Sequence, residues 1–224
     1  MRLTVTLPRA VAATGFVFAV AGCGVGTGQP SLPVISPSAP TVSSPAPAAT
    51  VLWPAPPDPL ERTVAAGLEP ETKEYMTNHV HAHLDVFVDG QPIAIPAGIG
   101  INIDDPGVRR FDEPDGSVGY GGITGCATAC ISPLHTHGPD GIIHTESQSP
   151  EPNTLGQFFI EWGVTLNDEC VGEFCGPKPI AFYVNGEPYT QDPRAIELTD
   201  RKEIAIVIGT PPAQIPSTAD FSGA

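Results

Sequence analysis

All six histidines of the 224-residue chain fall in two short windows, His79, His81 and His83 in NHVHAHLD and His135, His137 and His144 in LHTHGPDGIIHTE. The spacing of two matters because successive side chains of a β-strand point to opposite faces. On a strand, His79, His81, His83 and Asp85 share one face and Val80, Ala82 and Leu84 take the other. By the same rule His135 pairs with His137, and His144 with Glu146. If the two segments are neighbours in one sheet, these imidazoles and carboxylates converge on a patch about two strands wide.

Neutral imidazole is the commonest side-chain ligand for zinc and copper, and a His-x-His pair on a strand presents two nitrogens without backbone rearrangement. Asp85 and Glu146 can act as ligands or hold the ring tautomers. The donor set is nitrogen and oxygen, because after removal of a leader only Met76 offers a thioether and the cysteines read as paired. That selects Zn(II) or Cu(II) over Cu(I). Metal binding for sequestration, delivery or sensing is the leading expectation, since the ligands outnumber what one closed site needs. The first rival is a zinc metalloenzyme with an open three-histidine site and Glu146 or Asp85 as general base. The second is a metal-free interaction module whose imidazoles repel one another when protonated between about pH 5 and 7. No GxSxG elbow, phosphate loop or dinucleotide fingerprint is present. Asp104 and Asp105 read as turn residues rather than a glycosidase pair.

The elements that must position these residues are legible in the pattern. Residues 60–68 suggest a short helix, and the alternation of Val80, Ala82, Leu84, Val86 and Val88 a strand. Asp89-Gly90 supplies a hairpin turn, with Ile93 and Ile95 on the return. Residues 104–133, rich in Gly, Asp, Pro and Cys, read as a long loop pinned by a disulfide. Strands follow over 134–137 and 142–146, separated by Gly138-Pro139-Asp140-Gly141. Thr154 and Gln157 form a capping box, Leu155, Phe158, Phe159 and Trp162 make a helical stripe, and Gly163 ends it. Two strands flank Asn185-Gly186, Ile204, Ile206 and Ile208 close the sheet, and a tail begins near Pro211. The expected class is α+β, a mainly antiparallel sheet covered by one helix.

Arg2 and Arg9 precede an apolar run from Ala10 to Ala21 that is too short to remain as a membrane span, so residues 1–22 read as a secretory signal. The stretch Val20-Ala21-Gly22-Cys23 resembles the lipobox of bacterial lipoproteins, which implies lipid on Cys23 and a cell-membrane anchor on the extracytoplasmic face. Residues 24–57 carry no charged side chain until the chain reaches Asp58 and are dominated by Pro, Ala, Ser, Gly, Thr and Val, so 23–57 reads as a lipidated tether. The globular domain is expected over 58–212 and a flexible tail over 213–224. Without the leader, 25 acids face 8 bases, a net of −17, which disfavours nucleic acid and anionic lipid head groups as partners. With Cys23 lipidated, Cys126, Cys130, Cys170 and Cys175 form an even set suited to two disulfides in an oxidising compartment. Three connectivities are open, local pairing being the first guess; a four-cysteine zinc site is the rival.

The His-x-His pairs are also similar to the metal motif of cupins, which continues with Glu, a fixed run to Gly-Pro and a distant histidine; Asp85 and Gly90 depart from that pattern. The span from His79 to Gly209, with its LHTHGPDGIIHTES block, resembles histidine-rich domains of uncharacterised secreted prokaryotic proteins, a resemblance that implies a family and no activity.

Overall fold

The structure, a computed structural model, describes residues 50–113 and 115–222. The expected leader, the Cys23 expected to carry lipid and most of the expected tether lie outside the described residues. In chain order the first elements are α1 (Pro59–Ala65), β1 (Asn78–Val88), β2 (Gln91–Ile93), β3 (Arg109–Asp112), β4 (Val118–Gly121), β5 (Leu134–His135) and β6 (Ile142–Ser147). Then come α2 (Leu155–Trp162), β7 (Cys170–Val171), β8 (Phe174–Cys175), β9 (Ile180–Val184), β10 (Glu187–Tyr189), a 3-10 turn at Pro193–Ala195, and β11 (Lys202–Ile208).

β1 is the axis of a seven-stranded sheet ordered β10-β9-β11-β1-β6-β5. Its first half pairs antiparallel with β6, and its last residues pair with β2 through the Asp89-Gly90 turn. Asp89 at φ 48° and Gly90 at φ 78° are both left-handed, the signature of a hairpin turn matched to strand twist. The α+β expectation holds, with one addition: β11 runs parallel to β1, so the sheet is mixed. β11 also does not close the sheet but lies inside it, between β9 and β1. The reason is visible in KEIAIVI, where every residue after Lys202 is buried. A strand covered on both faces reads as a continuous apolar run rather than a clean alternation.

Ala82, Leu84 and Val86 on β1 and Ile204, Ile206 and Ile208 on β11 share one core with Leu155, Phe158, Phe159 and Trp162 of α2. Each fully buried Val, Leu, Ile or Phe among them contributes roughly 1.5–3 kcal/mol. The helix starts as its sequence demands: Thr154 Oγ1 accepts from Gln157 N at 3.3 Å, and Thr154 N donates to Gln157 Oε1 at 2.9 Å. Gly163 ends it at φ 74°. Besides this covering helix there is the shorter α1, packed against it.

Order begins earlier than residue 58. Thr50 bridges Ile93, and Trp53 is buried in the core, edge-on to Trp162 at 5.6 Å. In the expected tail, Phe221 stands 6.5 Å from His83. The region expected as one long loop contains the β3–β4 hairpin, and its Ile123, Cys130 and Ile131 form a small core with Ile101. The cysteines pair locally, Cys126 with Cys130 and Cys170 with Cys175. The first bridge therefore tightens a short bend and does not pin residues 104–133 as a whole. Among the described residues, no helix is long and apolar enough to cross a membrane.

Candidate metal centre

Strand register builds the centre. β1 and β6 pair so that His81 opposes His144 and His79 opposes Glu146, and β5 places His135 opposite His144. Directly opposed residues share a face, so His135, His144 and His81 form a row across three strands, on the face away from Leu84 and Ile143. His137 lies just past the end of β5 and is held by β4: Tyr120 N donates to His137 O at 3.0 Å. Gly121 on the same strand gives the ring room, since a Cβ there would sit 3.1 Å from His137 Nδ1.

Two hydrogen bonds decide the tautomers. His135 Nδ1 lies 2.9 Å from Ser132 O, and His137 Nδ1 lies 2.6 Å from Tyr120 O. A carbonyl oxygen only accepts, so both rings carry hydrogen on Nδ1 and a neutral ring keeps its lone pair on Nε2. The two Nε2 atoms are 3.2 Å apart. A proton between them would require an imidazolium, and the site opposes one. Burial first, and then neighbouring histidines, hold His135 well below its ordinary range and His137 at about 4. Two lone pairs thus face each other, and a tetrahedral ion with nitrogen ligands at about 2.05 Å sets those nitrogens about 3.3 Å apart.

The remaining donors fit the same ion. The ligand atoms of His135, His137, His144 and Glu146 all lie within 4.8 Å of one another. Among the described residues, His144 Nδ1 and Glu146 Oε2 are buried without a hydrogen-bond partner. Each such orphan costs about 1–3 kcal/mol, which a cation would relieve. Burial raises the Glu146 carboxyl, but the surrounding histidines outweigh it and hold it below its ordinary range, so it is available as an anion.

Behind the row, Ser132 Oγ donates to Glu161 Oε1 at 2.5 Å and accepts from Leu134 N at 3.1 Å, tying α2 to the turn that orients His135. Glu161 is fully buried, and burial pushes it up to about 8. In front, a cleft of about 310 Å³ reaches His137 and His144 past Phe111 and Gly121. Glu74 stands at its side, Oε1 3.9 Å from His137 Nε2.

Of the sequence-expected ligands, His135, His137, His144 and Glu146 come together. His79 and His81 flank them, His79 Nε2 at 3.3 Å from Glu146 Oε1 and the His81 ring 4.5 Å from that of His144. His83 and Asp85 do not join: they form a separate group with Glu203, His83 Nδ1 at 2.9 Å from Glu203 Oε2 and 3.7 Å from Asp85 Oδ2. The cause is register, because His83 opposes apolar Ile142 on β6 and Glu203 on β11. His83 Nε2 lies 2.9 Å from Asp140 O, so both ring nitrogens face acceptors. Burial lowers His83, but the bond to Glu203 and the nearby carboxylates outweigh it and raise it. Glu74, Glu161, Glu203 and Ser132 were not among the expected site residues. Glu203 was signalled by its place in KEIAIVI and Glu161 by its place in the FFIEW stripe; Glu74 carries no comparable signal. The thiol sulfurs near Asp105 belong to the Cys126–Cys130 disulfide and offer no thiolate. Comparison of the chain with family models, with curated proteins and with solved structures found no match.

Proposed function

We propose that this domain binds a transition metal, Zn(II) or Cu(II), through His135, His137, His144 and Glu146. The observation that carries the reading is the facing pair of Nε2 lone pairs 3.2 Å apart, each ring fixed by a carbonyl on its other nitrogen. Such pairs are the usual arrangement of histidines around an ion. The all nitrogen and oxygen donor set supports these two metals over Cu(I). The lipobox supports a lipoprotein held by Cys23 on the outer face of the cell membrane, where the domain would sequester, deliver or sense the ion. The test is titration of tag-free, metal-stripped protein with Zn(II) and Cu(II). Wild type saturates at micromolar metal or below and His137→Ala loses at least tenfold in affinity. Absence of binding at micromolar metal sinks the reading and leaves the interaction module.

The cleft favours one second reading, a hydrolytic centre. It brings solvent to His137 and His144 beside Glu74, whose carboxyl is raised by burial and suited to accept a proton from water. Under that reading Glu74→Gln keeps metal affinity and abolishes turnover of an activated ester, whereas a pure binding site shows no turnover to lose.

A further inference from the structure

Glu146 belongs to two ligand groups at once. It completes the set of His135, His137 and His144, and its ligand atom also lies within 4.8 Å of those of His79 and His81. Register explains the sharing: on β6 it stands beside His144 along its own strand and directly opposite His79 on β1. Its Oε1 is the nearer oxygen to both His79 Nε2, at 3.3 Å, and His144 Nδ1, at 3.5 Å, while Oε2 lies 4.0 Å from His135 Nε2. The rings form one continuous chain of edge contacts, His79 to His81 at 4.6 Å, His81 to His144 at 4.5 Å and His144 to His137 at 4.4 Å.

Three of the six buried unpartnered side-chain atoms among the described residues lie on this seam. Besides His144 Nδ1 and Glu146 Oε2, His81 Nε2 is buried with no hydrogen-bond partner among the described residues. One ion among His135, His137 and His144 leaves His81 and His79 unused, and a carboxylate whose Oε1 faces His79 and His144 while its Oε2 faces His135 can serve two ions. We infer that the centre takes two divalent ions bridged by the Glu146 carboxylate, the second held by His79 and His81. This rests on the metal-binding reading above. The second position is the outer one, since the His79 side chain is 33% exposed while that of His135 is fully buried. It has fewer protein donors, so the second ion binds more weakly and exchanges faster. Two ions sharing a carboxylate are an arrangement suited to clamping a bridging oxygen, as of phosphate or water.

The experiment is stepwise titration of the metal-stripped protein with Cu(II), followed by calorimetry and by electron paramagnetic resonance. Wild type is expected to take two equivalents, and the resonance, which grows with the first, falls as the second fills because the shared carboxylate couples the spins. His79→Ala/His81→Ala, a pair at the solvent side of the row, should take one equivalent with unchanged first affinity and an undiminished signal. Saturation of wild type at one equivalent overturns the inference while leaving the primary site standing. A second equivalent whose signal simply adds, or one lost in Glu203→Gln instead of in the His79/His81 variant, places that ion elsewhere and also overturns it. Loss of both ions in the His79/His81 variant shows one mixed site and does the same. If wild type binds none, the primary reading has failed, a result distinct from all of these.

Discussion

Replacing Glu161 by Gln should change how stability depends on pH, in a direction set by its burial. The carboxyl is fully buried and held at about 8 against an ordinary 4.5. Between those values the folded chain keeps a proton that the unfolded chain has released. The unfolded state therefore binds fewer protons, and stability falls as pH rises through this window. Below about 4.5 both states are protonated and nothing is lost; above about 8 the loss is complete, with a ceiling of about 5 kcal/mol at ~1.4 kcal/mol per pH unit. Buried His135 and half-buried His137 and His81, all lowered by desolvation, act in the opposite sense, since the stability they give is lost as pH falls below their ordinary 6.5. From 6.5 to 8 this carboxyl by itself should account for a loss of about 2 kcal/mol, and the difference between wild type and variant cancels the other groups that titrate there. Gln keeps an acceptor for Ser132 Oγ and cannot ionise. Urea unfolding of chelator-treated wild type and Glu161→Gln at pH 6.5 and 8 measures the difference, and His83 contributes equally to both. Wild type should lose about 2 kcal/mol more than the variant over this span. A variant as steep as wild type refutes the assignment of a buried, protonated Glu161.

Four further outcomes are expected. Glu203→Gln should lower the pKa of His83, and as His83 is raised in the fold, the stability it adds is present below 6.5 and lost as pH rises through its folded value; NMR titration of the ring checks this. Cys170→Ser/Cys175→Ser opens the small loop that carries buried Val171 and should cost about 2 kcal/mol in urea unfolding, with metal affinity unchanged; a loss of metal would show that the bridge supports the site. Gly121→Val should press on the His137 ring and weaken metal binding at least tenfold while circular dichroism stays native. Native protein should partition into detergent with diacylglycerol on Cys23, and Cys23→Ala should release it; mass spectrometry of the N-terminal peptide decides, and an unmodified terminus elsewhere removes the lipoprotein proposal.

Much of the site was legible because a strand's period of two converts spacing directly into direction. The spacing put His79 with His81, His135 with His137 and His144 with Glu146, each set on one face of its own strand, and left their convergence conditional on the strands being neighbours. Register was not legible, and it alone decides that His83 and Asp85 turn to Glu203 and away from the row. The same limit hid the parallel pairing of β11, since apolar alternation reports which face is buried and not which neighbour lies alongside. Trp53 was lost inside a stretch whose composition reads as tether, because one large aromatic among prolines and alanines scarcely alters composition yet supplies a full core contact. The pairing of Glu161 with Ser132 was invisible for another reason: a buried acid shows in sequence only as a polar residue on an apolar stripe, and its partner is 29 positions away.

The placement of β11 governs the order in which this chain can assemble. Its partners on β1 precede it by 120 positions, from Ala82 beside Lys202 to Val88 beside Ile208, so the middle of the sheet is missing until nearly the whole domain is present. Closing so long a loop must precede the contacts that reward it, which makes folding slow and all-or-none in its final step. The histidine row, by contrast, needs only β1, β5 and β6, all complete by Ser147. Under the metal-binding proposal the chain therefore carries all its ligands before β11 is made, and early capture of an ion would bias which strands find one another first.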